Sequence, residues 1–310
     1  MISIVTAYYN RRELFFNTLS TLKYSAVKDI EVIAVDDGSN EENRLEDLQE
    51  IFPFLKVIRL ETADKWYVNS CIPFNKGFEA AKGDIILIQN PECAHYGDVI
   101  SYAAQNLKPN DYISFGAYSL DKPDTNRLTD AQGADPKTLG IHFLERAITT
   151  DGESGWYNQS LFRPKGYHWC CAIHKNDLEA LGGFDGRYAM GVAFDDNELL
   201  ARIQKKRMNY RIVDEPFVLH QNHFQIDDTS NKSINPWYSR KEAKLLWEKN
   251  EYLYNEYTLK RKSWRAPKRS KLMIKSFDIF LSYFLKFKHA YAPLKWRVQN
   301  KMKRILHRAY

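Results

Sequence analysis

Cysteine is scarce in this 310-residue chain: four residues, Cys71, Cys93, Cys170 and Cys171, stand at no metal-binding spacing and form no disulfide framework. That excludes a cysteine metal site and suits a reducing compartment. Long apolar runs are missing too. No window approaches the ~18–20 apolar residues that a membrane-crossing helix needs. Residues 1–7 alternate in polarity instead of placing a charged segment before an apolar one, so no signal peptide is expected. No G-x-G-x-x-G follows the first apolar run, which disfavours a dinucleotide fold. Residues 5–15 contain no glycine, which disfavours the phosphate loop of a nucleotidyltransferase. Acid is nearly absent from one end: residues 260–310 carry 16 Lys and Arg against a single acid, Asp278. The body before residue 260 is net negative and the tail strongly positive.

What is present is an alternation of short apolar runs with helical patterns. Ile2 to Ala7, Ile30 to Val35, Val57 to Leu60 and Ile85 to Ile88 read as strands. The last of these has four consecutive apolar residues, the mark of a strand buried on both faces. Leu14, Thr18, Leu19 and Leu22 share a helix face, residues 41–51 read as a charged helix, and Pro73 suits the first turn of a helix reaching Ala81. This spacing implies βαβ units, a mainly parallel sheet and an α/β fold. Further on, residues 97–107 read as a helix, Tyr112 to Tyr118 and His168 to His174 as strands, and Asp195 to Lys206 as a helix. Between 119 and 165 no period is legible, as expected of a functional lid or a variable insertion. Arg211 to Val213 and Phe217 to Leu219 read as two short strands before His220-Gln221-Asn222-His223. Helical patterns follow over 238–259, 271–287 and 294–308.

Four groups carry chemistry. Asp36-Asp37-Gly38-Ser39 ends the second strand, where an acid can accept from a base N–H and from ribose hydroxyls; Asp-Gly is equally a common turn. Asn75 leads into the central strand, where an amide can bond a ribose or diphosphate oxygen or simply decorate a helix surface. Asn90-Pro91-Glu92 ends that strand, and ligands bind at the carboxyl ends of strands in open α/β sheets. A hard divalent cation prefers such oxygen ligands together with phosphate. Asp195-Asp196 opens a helix, where the dipole favours acids, so simple capping is the alternative.

In this order the residues resemble glycosyltransferase family 2, inverting nucleotide-sugar transferases of the GT-A fold. The markers are SIVTAYYN at the start, VDDGS at 35–39, NKGFEAAKGDIILI at 75–88, and GGFD followed by FDDNEL. The resemblance implies a GT-A Rossmann-like domain over residues 1–225 and a helical extension over 226–310. It implies that Thr6, Tyr8, Asp37 and Asn75 hold the nucleotide and that Glu92, with Asn90 and His220 or His223, holds Mn²⁺ or Mg²⁺. It makes Asp195-Asp196 the catalytic pair, with Asp196 the base. The expected donor is a nucleotide sugar, with UDP-sugar foremost, and the acceptor a glycan or lipid-linked saccharide of cell-surface polysaccharide synthesis. Two positions depart from the family: the metal motif has one carboxylate, and Asn69 to Phe74 lacks the arginine often found there. A noncatalytic sugar- or membrane-binding protein of the same fold is the rival reading.

The tail adds its own expectation. In 271–287 the polar residues Lys271, Lys275, Asp278, Ser282 and Lys286 form one stripe, opposite Met273, Phe277, Phe280, Leu281 and Phe284. Cationic amphipathic helices rich in aromatics lie in membrane interfaces. A cytoplasmic protein, peripheral on an anionic inner membrane face, is therefore expected. Packing against the domain is the alternative, and nucleic acid is disfavoured because no reader motif accompanies the charge.

Overall fold

The computed structural model describes residues 1–150, 152–223 and 240–306; the side chains of 240–241 and 289–306 lie outside that description. The chain runs β1 (Ile2–Tyr8), α1 (Arg12–Leu22), β2 (Ile30–Asp36), α2 (Leu48–Ile51), β3 (Leu55–Arg59), α3 (Cys71–Ala80) and β4 (Ile85–Gln89). It continues through β5 (Cys93–Tyr96), α4 (Val99–Asn106), β6 (Asp111–Ser119), α5 (Lys122–Asp130), β7 (Gly155–Asn158), β8 (Cys170–His174) and α6 (Lys175–Leu181). The last elements are α7 (Asp195–Lys205), β9 (Asn209–His220), α8 (Arg240–Leu253) and α9 (Lys271–Leu306).

The strands join one sheet in the order β3-β2-β1-β4-β8-β6-β9-β5, with β7 paired to β6. β1 is parallel to β2 and β4, and β2 to β3. Both faces of this half are apolar. Ile2, Ile4, Val32, Ala34 and Leu87 pack into one core with α1 and α4, and Val5, Ile33, Val35, Ile86 and Ile88 pack into another with α3, α6 and α7. Gly77 lets α3 lie close, since a Cβ there would meet Val5 Cγ1 at 2.3 Å.

Strand direction decides where the chemistry collects. β8 is antiparallel to β4 and β6, while β6 and β9 are parallel. β8 therefore begins at the edge where β1, β2, β4, β6 and β9 end. One edge of the sheet gathers the Asp36–Ser39 turn, the 90–92 turn, His168 just before β8, and His220 at the end of β9.

Four expectations change. Residues 41–51 form a 3₁₀ turn (Glu41–Asn43) and the single turn of α2, because the charges serve neighbours: Asp47 pairs with Arg12 and Glu46 with Arg59. The 119–165 stretch holds α5, capped by Asp121, whose side chain accepts from Asp124 N at 2.9 Å, as well as β7. The two short strands near 211–219 are one, β9. The two last helices are one, α9, with residues 307–308 outside the described residues. The expected boundary at 225 also falls outside them. Ile274, Leu281 and Leu285 of α9 are buried, packed on Leu178, Tyr188 and Leu253 among others, so this face belongs to the core. Among the described residues no helix is long and apolar enough to cross a membrane.

Candidate active site

At the nucleoside end, Asp36 Oδ1 accepts from Ser39 N at 2.8 Å and closes the turn, which Gly38 completes at φ +85°. This leaves Asp37 directed at the segment between β3 and α3. Tyr67 Oη donates to Asp37 Oδ1 at 2.5 Å, and Lys65 Nζ pairs with the same carboxylate. Burial pushes the Asp37 carboxyl up and outweighs Lys65 and Tyr67. Thr6 is buried, and its Oγ1 has no hydrogen-bond partner among the described residues. Tyr8 is buried as well. Its hydroxyl donates to Asn43 O at 2.7 Å and accepts from Arg11 N, so it braces the loop after β1. Asn75 spends its amide on the backbone of Phe184, donating to its carbonyl at 2.9 Å and accepting from its N–H at 2.8 Å. This clasp needs Gly183, at φ +65°, where a Cβ would meet Asn75 Oδ1 at 2.5 Å.

The turn after β4 holds the first chemical cluster. Glu92 is 2% exposed, deeper than a rim position. Arg11 Nη1 donates to its Oε2 at 2.6 Å, while His220 Nε2 and His223 Nε2 lie 3.2 and 3.6 Å from Oε1. Burial pushes the Glu92 carboxyl up, yet Arg11 and the two imidazoles overcome it and hold it well below the usual range. Burial, with Arg11 beside it, pushes His223 down to about 3, so its ring is neutral near pH 7. Glu92, His220 and His223 each offer a ligand atom, all within 4.8 Å of one another. One carboxylate and two imidazoles converging on a point form a donor set that fits a divalent transition metal. Asn90 contributes backbone bonds, donating to Trp169 O and accepting from Cys93 N. A cleft of about 220 Å³ opens beside this cluster, lined by Thr150, Tyr157, Arg163, Trp169, His220 and His223.

The second cluster is at the start of α7. Asp195 is buried, accepts from Asn69 Nδ2 at 3.1 Å and is pushed up by burial and by Asp196. Asp196 Oδ1 accepts from His168 N at 3.1 Å and pairs with His168 Nδ1, while His168 Nε2 lies 3.8 Å from Asp195 Oδ2. The His168 ring is walled in by Phe74 and Phe184, at 5.2 and 5.1 Å. Asp196 stays 30% exposed. The loop before it is held from the extension: Asn250 Nδ2 donates to Ala193 O at 2.8 Å, and Phe194, at φ +67°, packs against Trp247 and Tyr254.

Three consecutive residues tie the clusters together. Tyr167 Oη accepts from Asn197 Nδ2 at 2.7 Å, His168 holds Asp196, and Trp169 packs at a tilt against Tyr157, which packs on His220 at 4.8 Å. His168, Arg11 and Tyr157 are additions that the sequence reading missed. His168 also sets a pH dependence. Burial lowers its basicity, but Asp196 outweighs burial and raises the ring above its ordinary 6.5. A raised value means that the pair stabilises the fold below about pH 6.5 and stops doing so as pH rises through the higher folded value. Melting curves of wild type and His168→Gln should differ most at pH 5–6 and converge in alkali. A gap that widens with pH would show that the imidazole is not paired with Asp196.

No curated protein matches the chain by sequence. Among solved structures it is similar to GalNAc-T7 with UDP, GalNAc and Mn²⁺, at 14% identity and a TM-score of 0.54 over 83% of this chain and 48% of that one. It is also similar to S. aureus TarS (13%, TM-score 0.49, 71% and 36%). A third is the mannosyltransferase PcManGT from Pyrobaculum calidifontis with GDP-Man and Mn²⁺ (17%, TM-score 0.44, 73% and 58%). The chain thus spans 36–58% of the length of these structures. GalNAc-T7 supports the GT-A-like fold that the sheet already displays. The family model described as glycosyl transferase family 2 matches residues 3–169, more than half of the sequence, and the chain belongs to that family.

Proposed function

We propose that the chain is an inverting glycosyltransferase, moving a sugar from a nucleoside diphosphate, UDP foremost, to a hydroxyl of a glycan or lipid-linked acceptor. Residues 1–225 form the transferase domain and 226–310 an extension. One observation carries this reading. A carboxylate held by an imidazole at the start of α7 is linked through residues 167–169 and Tyr157 to a buried carboxylate and two imidazoles at the ends of β4 and β9. The first suits proton abstraction and the second suits the leaving diphosphate.

With Oδ1 of Asp196 fixed by His168, Oδ2 takes the acceptor proton as the acceptor oxygen bonds to the anomeric carbon. The bond from that carbon to the diphosphate oxygen breaks, and the nucleoside diphosphate leaves with the electron pair. Glu92, His220 and His223 would hold a divalent cation, the imidazoles favouring a transition ion such as Mn²⁺ over Mg²⁺, and such an ion would neutralise charge on the leaving phosphates. Arg11 adds a second positive charge beside Glu92. The expected placement is cytoplasmic, peripheral on the inner membrane face, and the positive extension supports it.

Incubation with a panel of UDP- and GDP-sugars and saccharide acceptors should give one donor that releases its nucleoside diphosphate in step with product. Release from none of them, with the nucleotide still bound, would favour a noncatalytic sugar-binding protein instead. On this reading Asp37→Ala removes a charge-assisted hydrogen bond to the nucleoside and weakens diphosphate binding by roughly 1.5–3 kcal/mol. Calorimetry giving an unchanged dissociation constant would take Asp37 out of the site.

A further inference from the structure

α9 carries two apolar stretches of surface, and one of them packs on the domain. Ile274, Phe277, Leu281 and Leu285 turn inward onto Tyr188, Leu253 and Tyr257. Centred roughly 145° round the helix stand Leu272, Met273, Ile279, Phe280, Tyr283 and Phe287. All are exposed, Leu272 by 75% and Tyr283 by 70%. Successive residues turn by about 100°, so these six share an arc interrupted only by Ser276, along roughly 22 Å of helix. Solvent does not ordinarily meet a continuous strip of this kind. Lys271, Lys275 and Lys286 border it on one side.

Charge selects the occupant. Residues 260–310 carry 16 Lys and Arg and one acid, and that acid, Asp278, is already paired with Lys249 at 2.8 Å. A second copy of the chain would set one such tail beside another, and like charges would repel. The occupant must be apolar in its interior and anionic at its surface. We propose that the outer face of α9 lies in the interface of an anionic lipid bilayer, with Phe280, Tyr283 and Phe287 among the acyl chains and the flanking lysines at the headgroups. The inner face stays docked on the domain, so the helix lies parallel to the membrane and fixes the cleft above it. This inference is independent of the sugar-transfer reading, because binding needs no turnover.

The experiment uses the full chain and phosphatidylcholine vesicles with or without phosphatidylglycerol. Wild type should co-sediment with the anionic vesicles, bind the neutral ones at least about tenfold less, and release partly in high salt. The double variant Phe280→Ser, Phe287→Ser should lose at least about tenfold in affinity for anionic vesicles with an unchanged melting curve. If that variant folds poorly, Leu272→Ser with Tyr283→Ser tests the same face. Equal binding to neutral vesicles, no binding by wild type, or undiminished binding by a folded variant overturns the proposal. A wild-type dimer in sedimentation velocity that the double variant dissociates also overturns it, by giving the face to a second copy.

Discussion

Asp196→Asn should lower the rate of transfer by ~10²–10⁴-fold, the worth of general-base help, while leaving nucleotide affinity nearly unchanged. The amide keeps the shape of the carboxylate and can still accept from His168 N, but it takes up no proton. It also releases His168 from its ion pair, so the imidazole returns toward its ordinary pKa. Steady-state rates and a calorimetric dissociation constant for the nucleoside diphosphate separate the two effects. A variant with more than about a tenth of the wild-type rate would remove Asp196 as the base. Asp195→Asn is the informative neighbour. Asp195 is buried and bonded to Asn69, so its loss should disturb the geometry of the pair more than it removes a base.

Glu92→Gln carries the other large effect, and burial makes it twofold. The buried carboxylate is the counter-charge of Arg11, so its neutralisation should cost about 3 kcal/mol, the low end for a broken buried pair because Arg11 is partly exposed and can turn to solvent. Its folded pKa is depressed, so its contribution is present above the ordinary 4.5 and lost as pH falls through the folded value. The melting deficit of the variant should therefore be full at neutral pH and shrink in acid. The same change removes the carboxylate ligand from the candidate metal centre and should raise the Mn²⁺ needed for half-maximal turnover at least about tenfold. Full wild-type turnover in excess EDTA would show that Arg11 and the histidines serve the leaving group without a metal.

The parallel half of the sheet was legible because strands buried on both faces read as unbroken apolar runs, as Ile85 to Ile88 do. The turn at Asp36–Ser39 and the acid pair at Asp195-Asp196 were legible because each sits at the end of a periodic run. His168 was not. Its partner lies 28 positions away, and only the antiparallel insertion of β8 between β4 and β6 brings its end of the strand to the carboxyl edge. Arg11 was missed because a cation was sought near Asn69 to Phe74, whereas the fold supplies one from the loop after β1. Asn75 shows the limit of spacing: position alone suggests a ligand, and the structure has both amide atoms clasping Phe184. α9 shows the converse. A helix with two apolar faces reads as having one, since a sequence does not say which of its hydrophobics meets protein.

The most direct test of single displacement at Asp196 is the anomeric configuration of the product, read by proton NMR with an α-configured donor from the panel. The account predicts a β-linked product from wild type and almost none from Asp196→Asn. An α-linked product, or a β-linked product formed at the wild-type rate by Asp196→Asn, would contradict it.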